Sequence, residues 1–201
     1  MTQSTVSYPD SISYYDKNAQ HFVKTTNVYD YSSLYDLFLP HLPKGAKILD
    51  AGCGSGRDSK CFIDKGYKVV AFDGSQKLAT LASQLTGLPV RHKLFSQVNE
   101  HEEFDGIWAS ASLLHVPRSE LASVLEKLKK ALKPKGIWYI SFRYGEGEHN
   151  EGDRYFYDQT KESLIKILED LGGVTILHMT IPEDLTSRRG YKFVVCVVQK
   201  A

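Results

Sequence analysis

The chain has 201 residues, about one domain with some to spare, and a domain of that size buries roughly 70% of its unfolded surface, so stability demands no disulfide or metal staple. Lys+Arg 25 against Asp+Glu 24 leaves a net charge of +1 with no block of like sign, which argues against a nucleic-acid partner. The cysteines, Cys53, Cys61 and Cys196, are odd in number and lack a CxxC spacing, no apolar run reaches the roughly 20 residues of a bilayer span, and the start has no signal-peptide layout. No metal, no membrane partner and a cytoplasmic location are therefore expected.

SISYYDKNAQHFVKTT and SLYDLFLPHL read as two helices rich in Tyr and Phe. They either pack on the rest of the chain or lie across a ligand pocket, and residues 1–44 are set apart as a helical cap ahead of one compact unit over 45–201. From Ala46 onward, β-rich runs alternate with amphipathic helices, the pattern of an α/β parallel sheet. The runs are AKILD (46–50), a helix to about Lys65, YKVVAF (67–72), a helix over Gln76 to Thr86, a short strand from Pro89 to Lys93, and FDGIWAS (104–110). Leu121, Val124, Leu125, Leu128 and Leu132 recur at helical spacing, ahead of Pro134 and Gly136. IWYISF (137–142) is a fifth strand, and Leu164, Ile167, Leu168 and Leu171 mark another helix. VTILHMTI and YKFVVCVV then lie too close for a helical crossover, so they pair antiparallel.

Gly52, Gly54 and Gly56 in ILDAGCGSGRD follow a predicted strand and precede a helix, where a sharp turn and a close ligand approach both call for a missing Cβ. Position 57 is Arg57, so the dinucleotide spacing G-x-G-x-x-G is absent, as is a phosphate-binding P-loop. DAGCGSG followed by VVAFDGS resembles the first two motifs of the class I S-adenosylmethionine-dependent methyltransferases. The resemblance implies a three-layer Rossmann-like fold, a mixed seven-stranded sheet with the last strand antiparallel, and S-adenosyl-L-methionine as cofactor. It places Gly52, Gly54 and Gly56 around the methionine and ribose parts, Asp50 near the amino group and Asp73 at the ribose diol, with Gly74 and Ser75 beside it. A carboxylate, with two acceptor oxygens, suits a diol. Arg57 either faces the methionine carboxylate or is a solvated arginine. The family's acidic residue after the third strand is missing, so Phe95 packing and the Ser96 backbone are expected at the adenine, and Ala109 ends the fourth strand at the cofactor.

Ala109, Ser110, Ala111 and Ser112 stand where methyltransferases acting on exocyclic amines of DNA or on glutamine amides resemble one another in an Asn/Asp-Pro-Pro-aromatic segment, and they supply no hard metal ligands. The candidate catalytic groups near the sheet's C-terminal edge are His115, Arg143, Tyr144 and Tyr15, with Tyr14 alongside. His115 is either a general base or a buried hydrogen-bonding histidine; Arg143 and Tyr144 either act or form a rim. SLLHVPRSEL, FRYGEGE and RYFYD are similar to small bacterial methyltransferases of the tellurite-resistance group, which implies a small-molecule acceptor with a thiol or chalcogen centre. Two rivals stand beside it: a tRNA or protein methyltransferase docking through basic residues 127–135 with Arg188 and Arg189, and a non-catalytic cofactor-binding module.

Overall fold

The computed structural model describes residues 10–182 and 190–201; Arg188 and Arg189 of the expected docking surface lie outside the described residues. Helices α1 (Ser11–Thr26) and α2 (Ser32–Phe38) precede β1 (Lys47–Ala51), α3 (Arg57–Asp64), β2 (Lys68–Asp73), α4 (Gln76–Thr86), β3 (Arg91–His92) and β4 (Phe104–Ala109). Then come α5 (Arg118–Ala131), β5 (Leu132–Arg143), a hairpin of β6 (Gly147–Glu151) and β7 (Arg154–Asp158), α6 (Lys161–Leu171), β8 (Val174–Thr180) and β9 (Phe193–Lys200).

Seven strands form one sheet in the order β3-β2-β1-β4-β5-β9-β8. β3 through β5 in that order run parallel, and β9 pairs antiparallel with both β5 and β8, giving the mixed sheet that the element order implies. Both faces are covered, and the strands alternate between them as period-2 geometry requires. Leu49, Ile107, Trp138, Ile140 and Cys196 face the cluster that contains Leu121, Leu125 and Leu128 of α5 and Leu164 and Leu168 of α6. Ile48, Trp108, Ile137, Tyr139 and Val197 face Leu34, Tyr35 and Phe38 of α2 and Phe62 of α3. On that second face Trp108 stacks on Tyr139 with centroids 3.7 Å apart, and Phe38 and Phe62 close against Trp108 at 5.3 and 5.4 Å. Truncating one such enclosed ring to alanine costs about 3–5 kcal/mol. Gly106 makes room for this layer, because a Cβ there would sit 2.8 Å from the Phe38 ring.

Three elements differ from the sequence expectation. Leu132 continues the helical spacing of α5 but begins β5 instead, fully buried; Pro134 pushes the preceding residue toward extended backbone and has no N–H to continue a helix. The third strand is only Arg91–His92. The β6–β7 hairpin was not anticipated, although Gly152–Asp153 between Glu151 and Arg154 is a two-residue hairpin turn signal.

Strand order reverses between β1 and β4, so the loops after these strands diverge and leave a crevice at their C-terminal ends.

Candidate functional site

A cavity of about 740 Å³ occupies this crevice. Its floor is the turn after β1. Gly52 and Cys53 both donate their N–H to the Phe72 carbonyl at 3.0 Å, hanging the turn from β2. Gly52 (φ +75°) and Gly54 (φ +55°) adopt left-handed backbone. A Cβ on Gly52 would lie 2.6 Å from Ser112 Cβ, and one on Gly54 would lie 3.1 Å from the Phe22 ring of α1. The Gly54 N–H donates to Asp73 Oδ2 and the Ser75 N–H to Asp73 Oδ1, each at 2.8 Å. Burial pushes the Asp73 carboxyl up in pKa, partly offset by these two donors. Each oxygen accepts two hydrogen bonds comfortably, so both retain capacity for a ligand.

Beside the turn lies a buried charge cluster. Asp58 is 6% exposed and accepts from Arg57 Nε (2.7 Å) and Nη2 (3.0 Å), Tyr35 (2.7 Å) and Trp108 Nε1 (2.9 Å). Burial would raise its pKa, but the Arg57 charge and these donors hold it low. Arg57 also lies 3.5 Å over the Tyr31 ring, so it is neither a solvated arginine nor free of an anion. Asp50 accepts from Ser59 Oγ at 2.6 Å. Burial, with the Asp58 charge behind it, pushes the Asp50 carboxyl up to about 8.

The other wall comes from distant parts of the chain. Ser11, Ile12, Tyr14, Tyr15, Asn18, His21, Phe22, Thr25 and Thr26 all line the cavity, one face of α1 from end to end. The helix is tied down along its length. Tyr155 N–H donates to Ser11 Oγ (3.0 Å), Ser75 Oγ and Lys77 N–H donate to Asp16 Oδ1 (2.5 and 3.0 Å), and Ser55 Oγ donates to Asn27 Oδ1 (2.6 Å). His115 sits beneath it. Its Nδ1 is 2.7 Å from the Tyr155 carbonyl, which only accepts, so Nδ1 carries the proton and Nε2 accepts from the Tyr15 hydroxyl at 2.8 Å. Burial lowers the His115 pKa to about 4, leaving a neutral imidazole.

Of the residues singled out from the sequence, the cavity wall brings together Tyr15, Gly52, Gly54, Arg57, Asp73, Gly74, Ser75, Phe95, Ser96, His115 and Arg143. Four lie off it. Gly56 packs on α4, where a Cβ would meet Ala82 Cβ at 2.9 Å. Ala109 is fully buried within β4, and its neighbours Ser110 and Ala111 reach the cavity instead. Asp50 is 1% exposed beneath the turn, and Tyr144 is 40% exposed on the surface. Arg143 is on the wall with each nitrogen engaged, Nε on Asp158 (3.1 Å), Nη1 on Glu151 (2.6 Å) and Nη2 against His149 Nε2 (2.8 Å). Arg154, Phe156 and Phe193 on the wall were not singled out; reading the Gly152–Asp153 turn would have placed the first two on a hairpin. Among the basic residues 127–135, Lys129 is spent on Glu126 and the carbonyls ending α6, and Lys133 on Asp105.

The stretch from β1 into β5, residues 48–136, matches the family model of a methyltransferase domain. Over those residues the chain is similar to a methyltransferase domain. An uncharacterized methyltransferase of Staphylococcus carnosus is 26% identical over 125 residues, 62% of this chain and 60% of its own length. A ubiquinone biosynthesis O-methyltransferase of Pasteurella multocida is 30% identical over 113 residues, 48% of this chain and 46% of its own. The chain thus spans about half the length of these curated relatives. Among solved structures, Burkholderia thailandensis 1,6-didemethyltoxoflavin-N1-methyltransferase, with 1,6-didemethyltoxoflavin and S-adenosylhomocysteine bound, superposes with a TM-score of 0.77 at 23% identity, covering 96% of this chain and 86% of that one. The mixed seven-stranded sheet is the methyltransferase fold.

Proposed function

We propose that the protein transfers the methyl group of S-adenosylmethionine to a small-molecule acceptor. The observation that carries the reading is Asp73, a buried carboxylate held by the Gly54 and Ser75 N–H groups at the floor of the cavity, with lone pairs to spare for a vicinal diol. The cradle fits the cofactor in a second way: left-handed glycines at 52 and 54 leave backbone bare where any Cβ would already crowd Ser112 or Phe22.

In this reading S-adenosylmethionine supplies an electrophilic sulfonium methyl when bound, and the chain supplies place and shielding. Asp73 holds the ribose, while Phe95, packed edge-on against Phe72 at 5.3 Å, and Ser96 border the adenine. Of the cap expected over residues 1–44, α1 supplies the inner face that excludes water from the acceptor. His115 Nε2, its tautomer fixed by the Tyr155 carbonyl, accepts a hydrogen bond from the acceptor in place of Tyr15 and takes the departing proton. A hydroxyl, ring N–H or thiol satisfies that geometry alike. A cavity roofed by a helix favours a small acceptor over tRNA or protein.

The test is calorimetry with S-adenosylhomocysteine, followed by incubation with methyl-labelled S-adenosylmethionine and a metabolite extract. Micromolar binding and label on a small metabolite are expected; no binding removes the reading, and binding without label in any fraction favours the non-catalytic module.

A further inference from the structure

Tyr14, Arg154, Phe156, His115 and Tyr15 form one contiguous stretch of cavity wall. The Arg154 guanidinium lies 4.8 Å from the Tyr14 ring and 5.0 Å from Phe156; Phe156 is 4.9 Å from His115, and His115 is 5.2 Å from Tyr15. A guanidinium stacked on rings offers its N–H edge, not its face, to a ligand.

The two arginines of this wall differ in what they have left to give. All three nitrogens of Arg143 are engaged by Asp158, Glu151 and His149. Arg154 lies close to the Tyr15 hydroxyl and has Glu151 only at 3.8 Å, a carboxylate that already accepts from Arg143 at 2.6 Å and from Tyr191 at 2.9 Å. The Arg154 Nε is buried and has no hydrogen-bond partner among the described residues. The side chain as a whole is 27% exposed, so the cavity reaches the outer Nη edge of the fork.

We propose that Arg154 is the acceptor-specificity residue and holds the carboxylate of a planar aromatic acid, whose ring lies against the apolar lining of the cavity and whose reacting group faces His115. The proposal rests on the reading that this cavity takes a methyl acceptor. A carboxylate matches the planar fork of the guanidinium. A ring matches the apolar lining of Leu114, Val116 and Phe193. A dianion such as phosphate is disfavoured, since Glu120 and Glu151 line the same cavity.

Benzoate, benzyl alcohol and inorganic phosphate serve as probes, titrated by calorimetry into the full chain with S-adenosylhomocysteine present. Benzoate should bind the unaltered protein at least tenfold more tightly than Arg154→Gln, with Arg154→Lys between them because charge is kept and the fork is lost. Glu151→Gln should tighten benzoate severalfold by freeing the guanidinium. Benzyl alcohol should bind both the unaltered protein and Arg154→Gln equally weakly, and phosphate should not compete. Equal benzoate affinity in the unaltered protein and Arg154→Gln overturns the proposal, as does phosphate competing as well as benzoate. If Arg154→Gln does not fold, Arg154→Lys and Glu151→Gln decide, and benzoate affinity unchanged in both overturns it. Failure of S-adenosylhomocysteine to bind the unaltered protein strikes the methyl-transfer reading instead, while the benzoate series, repeated without it, still decides Arg154.

Discussion

The cavity has one wall made mainly of backbone and another made of side chains. The β1–β2 wall is two glycines, a few N–H groups and one carboxylate, joined across 19 residues by the Gly54–Asp73 hydrogen bond. The α1–β7 wall is assembled from groups 100 residues apart, as in Tyr15 and His115, or 144 apart, as in Tyr155 and Ser11. The backbone wall tolerates few substitutions because its positive-φ glycines have no spare volume; the side-chain wall can be rebuilt for a different acceptor without touching the fold. Specificity is thus free to diverge on one side of the cavity while cofactor chemistry stays fixed on the other.

The sharpest way to break this division is Gly54→Val. A branched side chain at φ +55°, 3.1 Å from Phe22 at its first atom, both strains the turn and fills the cradle. S-adenosylhomocysteine affinity should fall at least about a hundredfold, roughly 3 kcal/mol, with the sheet still folded by circular dichroism. Retained binding would make the glycine turn purely structural. Asp73→Ala comes next, with a loss of about 1.5–3 kcal/mol in the same titration, the range for hydrogen bonds to a charged group. Unchanged affinity would take Asp73 out of the site.

These two residues were legible in the sequence because a turn that excludes Cβ and a carboxylate ending a strand are local signals. Strand order was legible for a similar reason: alternation of β-rich and amphipathic segments leaves few topologies. The α1–β7 wall was legible only in fragments. Tyr15 and His115 were singled out, but nothing in their own neighbourhoods says that they meet, and Arg143 drew attention while Arg154 did not because only tertiary contacts reveal which arginine has every nitrogen engaged. Leu132 shows the limit from another side, since its helical spacing was genuine and Pro134 overrode it.

A smaller effect tests whether the side-chain wall moves as a unit. Asp16→Ala removes the carboxylate through which α1 receives Ser75 and the Lys77 N–H at the start of α4. Such a contact at a helix N-terminus is worth about 0.5–1 kcal/mol. Hydrogen exchange across residues 11–26 should quicken in the variant without ligand and be largely restored by S-adenosylhomocysteine. Equal protection with and without ligand in the unaltered protein would make α1 a fixed roof and not a closing lid.

A further effect concerns the protonation state of the acceptor end. His115 has its pKa lowered by burial to about 4 from 6.5. Above pH 6.5 the group is neutral folded and unfolded, and contributes no slope. Between 6.5 and about 4 only the unfolded chain takes up the proton, so stability falls as pH falls; below about 4 both states are protonated and the loss is complete. With cavity water allowed for, the loss is about 2 kcal/mol. Asp50, raised to about 8, pulls the opposite way, stabilising the fold toward low pH. Only the difference between the unaltered protein and His115→Gln therefore isolates the imidazole. Thermal unfolding followed from pH 7 to 4.5 should lose stability more steeply in the unaltered protein than in the variant. Parallel curves would mean that water reaches the imidazole freely, and the dry acceptor end of the side-chain wall would then be lost. The acid limb of kcat/KM offers an independent reading: an inflection near 6.5 contradicts a desolvated His115, whereas a profile flat down to about pH 5 keeps the neutral imidazole in place to receive the proton of the acceptor.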